Sequence, residues 1–458
     1  MLRRAAAAGL GGGGGAGSSS GAARRAAACA AAGAARDSTR LAVIGDAHGQ
    51  WSARDALALK ALDPDLVVCV GDVGNEDVAL VRRIAALGAE HALAVILGNH
   101  DAWYTMTARA RARSPPAGTD GGGGGAAAPQ PQQPDRVQQQ LDALGASHLG
   151  YAHMRLPVAA LSLVGARPFS KGGKSLRSMR EFMAARWGVS DMAESAAKIL
   201  AVIADRVPPG DALVLLGHNG PAGLGAARHA IVGVDWKDEA GDHGDPDLAA
   251  VLEALRASRR PPALVVHGHM HHALRGGGLR QMVHVDAEGC CYLNAATVPR
   301  VVSTHRPDVD ATRHHFLVVE LLDGRAQCAA DVWVEVAERP AADAAAGAGA
   351  DGGGGLTSTG WRLAPGEQQQ AARGGGAEPA DSAQAPQQLR LGREQRQLGG
   401  CDVRVASVHE VLRTEVTPGG VVRQLWDAHA GEWRRAVAAA AAPEAAAAGV
   451  AAAGVEAG

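Results

Sequence analysis

The sequence predicts an α/β fold with a parallel sheet, on three observations. Short apolar runs recur through the first ordered hundred residues, stretches of helical length separate them, and a later group of apolar runs has no helices between its members. Ordered sequence begins at about Thr39, where residues 41–45 (LAVIG) read as a buried strand. Residues 53–61 read as a helix, 66–70 (LVVCV) as a second strand, and 76–87 as a helix with Asn75 as its N-cap. Residues 92–97 (ALAVIL) make a third strand. Strands and helices alternating at this spacing imply βαβ units and a parallel sheet.

Residues 112–134 are Pro, Gly, Ala and Gln, a low-complexity insertion expected on the surface. Asp135 reads as the cap of a helix through Leu144, with Gly145 past its end. Strand-like runs return at 161–165, 212–217 and 263–267, and Asp245-Pro246 opens a helix to about Ala257. The runs at 281–285, 291–294, 316–322 and 331–336 suggest an antiparallel second sheet. One domain over 39–337 is therefore expected, followed by low-complexity, disordered sequence at 338–400 and an Ala-rich tail at 437–458. Between these, residues 401–436 contain a strand-like piece (VRVASVHEV) and a helical one (WDAHAGEWRRAV). They either complete the last sheet or stand alone.

Bulk composition removes several classes of function. With 45 Lys and Arg against 47 Asp and Glu, net charge is -2, so no electrostatic bias toward nucleic acid or membrane exists. No run of strongly apolar residues is long enough to span a bilayer. The six cysteines show no C-x-x-C spacing, which argues against a zinc knuckle or a disulfide framework and for a reducing compartment. The first 36 residues carry five Arg, a Ser cluster and no acid. That composition suits an organelle transit peptide over residues 1–38, for the chloroplast or alternatively the mitochondrion.

Five short signals fall in order, each just after an apolar run: Asp46-x-His48, Gly71-Asp72, Gly98-Asn99-His100-Asp101, Gly217-His218 and Gly268-His269-x-His271. Ligands of open α/β sheets bind outside the carboxyl ends of the strands, so a parallel sheet would gather all five at one rim. Carboxylate, imidazole and amide oxygen suit Mn, Fe or Zn. Two such ions about 3.5–4 Å apart can clamp a phosphoryl group and deprotonate a water between them. A lone Asp-x-His or Gly-Asp is background; the whole ordered set is not.

This constellation resembles the calcineurin-like metallophosphoesterase superfamily over about Thr39 to Val336. The resemblance implies a four-layer α/β/β/α sandwich, the metallo-dependent phosphatase fold. It implies that Asp46, His48 and His271 hold one divalent metal, that Asn99, His218 and His269 hold a second, and that Asp72 bridges them. His100 would protonate the leaving oxygen as a general acid with Asp101 orienting its ring, while a hydroxide bridging the ions attacks phosphorus in line. The run Gly71-Asp72-Val73-Gly74-Asn75 departs from the Gly-Asp-x-x-Asp-Arg-Gly of the protein Ser/Thr phosphatases, and Asn75 stands where purple acid phosphatases have Tyr. Longer strings (VGDVGNEDV, ILGNHDAWYT, LGHNGPAGLG, GHMHHALR) are similar to a branch found in cyanobacteria and plastid-bearing organisms, which supports a plastid destination.

Other residues carry two readings. His267 and His272 are either ligands or strand-end histidines, and Asn219 either contacts substrate or shapes its turn. Trp103 and Tyr104 either stack on a flat group or pack. Arg167, Lys171, Lys174, Arg177, Arg180 and Arg186 form either a cationic lid or a solvated face. Asp242 and His243 read as loop structure, and His284, His314 and His315 as structural. The expected function is a dinuclear metal-dependent phosphoesterase acting on phosphate mono- or diesters of a small metabolite or nucleotide. No nucleic-acid or membrane partner is expected, and oligomeric state is left open. The alternative is a non-catalytic interaction module on the same fold, which would usually have lost ligands or the acid His; none is missing here.

Overall fold

The computed structural model describes residues 38–106, 135–174, 176–304, 309–339, 389, 391, 395–417, 420–427 and 430–436. The transit-peptide expectation, the 112–134 insertion, most of 338–400 and the 437–458 tail fall outside them. In chain order the elements are β1 (Ser38–Ile44), α1 (Ala53–Leu62), β2 (Leu66–Cys69), α2 (Val78–Ala86), β3 (Ala92–Val95), α3 (Trp103–Met106) and α4 (Arg136–Leu144). There follow β4 (His153–Leu156), β5 (Leu161–Gly165), α5 (Arg180–Trp187), α6 (Met192–Arg206), β6 (Ala212–Leu216), α7 (Pro246–Ala257) and β7 (Leu264–His267). The remainder is strand: β8 (Val283–Val285), β9 (Cys291–Asn294), β10 (Val301–Ser303), β11 (Ala311–Leu322), β12 (Arg325–Glu338), β13 (Gln395–Leu398), β14 (Cys401–Thr417), β15 (Gly420–Asp427) and β16 (Glu432–Arg435).

Two sheets result. The first runs β16-β15-β14-β12-β11-β1-β2-β3, with β10 on β11 and β13 on β14; the second runs β4-β5-β6-β7-β9-β8. The β1–β2–β3 and β5–β6–β7–β9 pairings are parallel. Strand alternation sorts each sheet's side chains onto two faces. Leu41 and Val43 of β1 and Val68 of β2 join Leu163, Val214 and Val266 of the second sheet in one apolar core. Ala42, Ile44 and Val67 point the other way, into a core shared with Leu59 of α1 and Ile84 of α2, and Leu213 and Leu215 do so against Ile199 of α6 and Val251 of α7. The chain is therefore the α/β/β/α sandwich expected.

Two expectations are corrected. The late strands do not form one antiparallel sheet: β9 joins the second sheet parallel to β7 with β8 antiparallel at its edge, while the antiparallel pair β11 and β12 sits beside β1 in the first. Apolar runs show that a segment is strand but not which free edge it finds. The piece read as helical, residues 426–437, is strand and turn over its described part, the end of β15, a turn at 430–431, and β16, and β14 pairs with β12 along eleven register partners. Asn75 does not cap α2; the Asp77 side chain accepts from Leu80 N at 3.0 Å instead. Asp245 precedes α7 without capping it, because its carboxylate takes Arg167 and Ser170. The helix α6, with the apolar spacing Ala196, Ile199, Ile203, stands where no element was expected. Among the described residues no helix is long and apolar enough to cross a membrane.

Candidate metal centre

The strand ends deliver the five signals to one place. Asp46 follows β1, Asp72 follows β2, Asn99 and His100 follow β3, His218 follows β6, and His269 and His271 follow β7. Three groups of side chains there can each hold a metal, their ligand atoms within 4.8 Å of one another: Asp46, His48 and His271; His48, Asp72 and His100; Asp72, His218 and His269. Asp72 belongs to two of them from opposite oxygens. Its Oδ1 is 3.3 Å from His218 Nε2, and its Oδ2 is 3.9 Å from His48 Nε2. Asn99 joins on the first side, its Oδ1 3.1 Å from His218 Nε2. All seven expected ligands are thus brought together.

The loops that carry them are strained. His48, Asp72 and His269 have φ of 44°, 49° and 67°, the left-handed region that non-glycine residues rarely enter. Such residues cost on the order of 1–3 kcal/mol each and persist where surrounding structure over-determines them. Here the fixing bonds are visible: His48 N donates to Asp72 O at 2.8 Å, and His269 N donates to both Asp46 carboxylate oxygens at 3.1 Å. At Gly98 a Cβ would overlap the Asp72 carboxylate and the His218 ring, so no side chain fits.

The donor set suits cations. Asp46 and Asp72 are buried with their charges in low dielectric, which is costly without compensation. Burial pulls the His218 imidazole down, yet the Asp72 and Asp46 charges outweigh it and lift His218 to about 10. The two carboxylates thus favour positive charge at this point. His218 Nδ1 lies 2.7 Å from the Val70 carbonyl, which fixes that N–H and turns Nε2 toward Asp72 and Asn99. Burial, and then the His218 charge, push His269 down to about 3, so its imidazole is neutral as a ligand must be. His48 Nε2 and His271 Nε2 face each other at 3.1 Å, close enough for both to turn a lone pair to one cation when unprotonated.

Residues 39–273, just over half of the chain, match the family of calcineurin-like phosphoesterases. The chain belongs to that family. No curated protein matches it. A solved crystal structure aligns with 63% of this chain and 98% of its own at 10% identity, with a TM-score of 0.36. Membership makes the chain a metallophosphoesterase, and the His and Asp groups above are the part of that fold that can hold its metals.

One expected role in this phosphoesterase is corrected. Asp101 does not orient the His100 ring. Its Oδ1 accepts from Gly74 N at 3.2 Å and its Oδ2 from Gly98 N at 2.8 Å, so it ties the Asp72 loop to the Asn99 loop. Burial and then the Asp72 charge push that carboxyl up to about 7. The ring partner is Asn75, whose Oδ1 lies 2.7 Å from His100 Nδ1. An amide oxygen at that distance accepts from Nδ1–H and leaves Nε2 facing the site, 4.0 Å from Asp72 Oδ2. Asn75→Ala is expected to lower kcat by about tenfold or more with metal content unchanged, because the ring is then free to turn. Metal analysis beside steady-state rates checks this; loss of metal would place Asn75 in the scaffold instead.

The remaining candidates divide. His267 is buried, pushed down to about 4 by burial, and outside the three ligand groups. Nor does His272 belong to them. Asn219 Nδ2 donates to His243 O at 2.8 Å, shaping the turn. Asp242 takes the amides of Gly223 and Gly244 at 2.7 Å, as loop structure. His243 does more than expected: its ring stacks on His269 at 5.9 Å, and its Nε2 lies 2.8 Å from Lys171 O. Nothing local in the sequence signals that contact. Within the supposed lid, Arg167 is buried against Asp245 and Asp247, and Arg186 pairs with Asp135.

Proposed function

We propose that this chain hydrolyses phosphate mono- or diesters of a small metabolite or nucleotide at a dinuclear centre. Asp46, His48 and His271 would hold one ion, Asn99, His218 and His269 the other, and Asp72 both. The supporting observation is that the two Asp72 oxygens face different histidine groups, His218 on one side and His48 on the other. Two divalent ions of Mn, Fe or Zn held there would supply Lewis-acid polarisation of the phosphoryl oxygens and activation of water. The chain's own residues do the rest. His100, held by Asn75 through Nδ1, presents Nε2 to the leaving oxygen as its proton donor. Asp101, through the Gly74 and Gly98 amides, keeps the two ligand loops in register. Burial of Asp46 and Asp72 keeps competing water from screening the charges.

The test is elemental analysis of the purified full chain together with hydrolysis of p-nitrophenyl phosphate and bis-p-nitrophenyl phosphate after reloading with Mn, Fe or Zn. Two equivalents of metal and turnover of at least one substrate are expected. Full occupancy without hydrolysis of any phosphate ester would instead make the chain an interaction module.

A further inference from the structure

Aromatic side chains are scarce in this protein, eight Trp, three Tyr and three Phe in 458 residues. Most of those described are buried or packed on one another. The exposed large apolar side chains among the described residues include three aromatics, Trp103 at 40%, Tyr104 at 50% and Trp236 at 39% exposure. Trp103 stacks on His100, ring centroids 4.5 Å apart and planes at 15°, and Tyr104 follows it in the chain. Trp236 touches His243, which stacks on His269. A chain this poor in aromatics thus leaves them in water beside its metal centre.

The Trp103–Tyr104 segment is held firmly. Glu76, buried and with φ of 55°, spends its carboxylate on that loop: Oε2 accepts from Tyr104 N at 2.7 Å and Thr105 N at 2.8 Å, and Oε1 from the Thr105 hydroxyl at 2.7 Å. Its own amide donates to His100 O at 2.9 Å. The platform and the proton donor are therefore one rigid unit. His100 Nδ1 is taken by Asn75, so the proton leaves from Nε2 toward the centre. The ester oxygen that accepts it departs as an alcohol beside His100, where Trp103, stacked on that ring, and its chain neighbour Tyr104 offer exposed apolar surface to its carbon skeleton.

We propose that Trp103 and Tyr104 form a stacking platform that selects phosphate esters whose leaving alcohol carries a planar aromatic group. This rests on the phosphoesterase reading above. Stacking of a flat ring on exposed aromatics gives discrimination of about tenfold or more without hydrogen-bond readout.

Adenosine 5′-monophosphate and ribose 5-phosphate test it, since the same primary alcohol leaves from both and only the base differs. With the metal-loaded full chain, kcat/KM is expected to be about tenfold or more higher for the nucleotide. The ratio should fall toward one in Tyr104→Ala, which does not touch His100, and in Trp103→Ala. Binding of adenosine alone, followed by equilibrium dialysis, should weaken by a similar factor in both variants. If the wild type turns over both substrates equally, the platform idea falls and the phosphoesterase reading stands. A Trp103→Ala enzyme slowed equally on both, with the ratio kept, would show that the indole only supports His100 and would also overturn the proposal. If no phosphate ester is hydrolysed, the underlying reading fails first.

Discussion

Asp72→Asn is expected to abolish metal retention and turnover together, whereas His100→Ala keeps the metals and loses about 10²–10⁴ in kcat. The substitution at 72 is nearly isosteric, so it isolates charge from shape. Asp72 Oδ1 accepts from His100 N at 2.8 Å, and an asparagine oxygen can keep that bond. What it cannot keep is the second anionic oxygen facing His48, where an amide NH2 would point a donor at the cation. The charge balance that lifts His218 to about 10 would go with it. His100 differs because its Nε2 stands 4.0 Å from Asp72 Oδ2 while Asn75 takes its other nitrogen, the placement that the proposed proton delivery requires. Elemental analysis and single-turnover rates on both variants separate the cases. An Asp72→Asn protein that retains two equivalents and full activity would end the shared-carboxylate account.

Arg300→Leu should cost about 3–5 kcal/mol of stability, the usual consequence of leaving a buried charge unpaired. Arg300 is 1% exposed, and its Nη1 donates to Asp55 Oδ1 at 2.6 Å and to Gln50 O at 2.8 Å, while Nη2 donates to His315 O at 2.9 Å. Trp51 and Phe316 lie against the guanidinium at 5.4 and 5.1 Å. The thermal midpoint should fall by roughly ten degrees. Acid sensitivity gives an independent reading. Burial alone would raise the Asp55 carboxyl, but Arg300 and then His314 hold it down at about 2 against an ordinary 3.8. A depressed carboxyl contributes stability that is present above its unfolded value and lost as pH falls through its folded one. The wild type should therefore weaken between about pH 4 and 2, and the deficit of the variant should shrink over that window. Urea melts at pH 7 and pH 3 would show it; a deficit independent of pH would mean that Asp55 is not the partner that matters. Because Gln50 lies two residues past His48, metal affinity should also drop in this variant.

Local pattern carried the parallel core a long way. Aliphatic runs at 41–45, 66–70 and 92–97 became β1 to β3, and each glycine-flanked signal after them arrived at the rim that a parallel sheet provides. The helix opened by Asp135 and ended at Gly145 was equally legible, because caps act within one turn. The same locality explains the failures. Asn75 looked like a cap and Asp101 like the ring partner of its neighbour His100, yet folding exchanged their jobs: Asn75 reached across 25 residues to His100, and Asp101 turned to two backbone amides. The strands after 310 were seen as strands, but their place beside β1 depends on which edge was free.

By itself, the sequence determined the α/β class, the strand-end loops and the residue types able to share two cations, since hydrophobic periodicity and ligand chemistry are properties of neighbouring residues. Only the tertiary structure decided which groups meet: Asn75 with His100, His243 with His269, Arg300 with Asp55 across 245 residues, and an exposed aromatic pair fixed by Glu76. Such pairings are chosen by packing between distant segments, where the free energy of a buried hydrogen bond or ion pair depends on whatever else the fold has brought within reach.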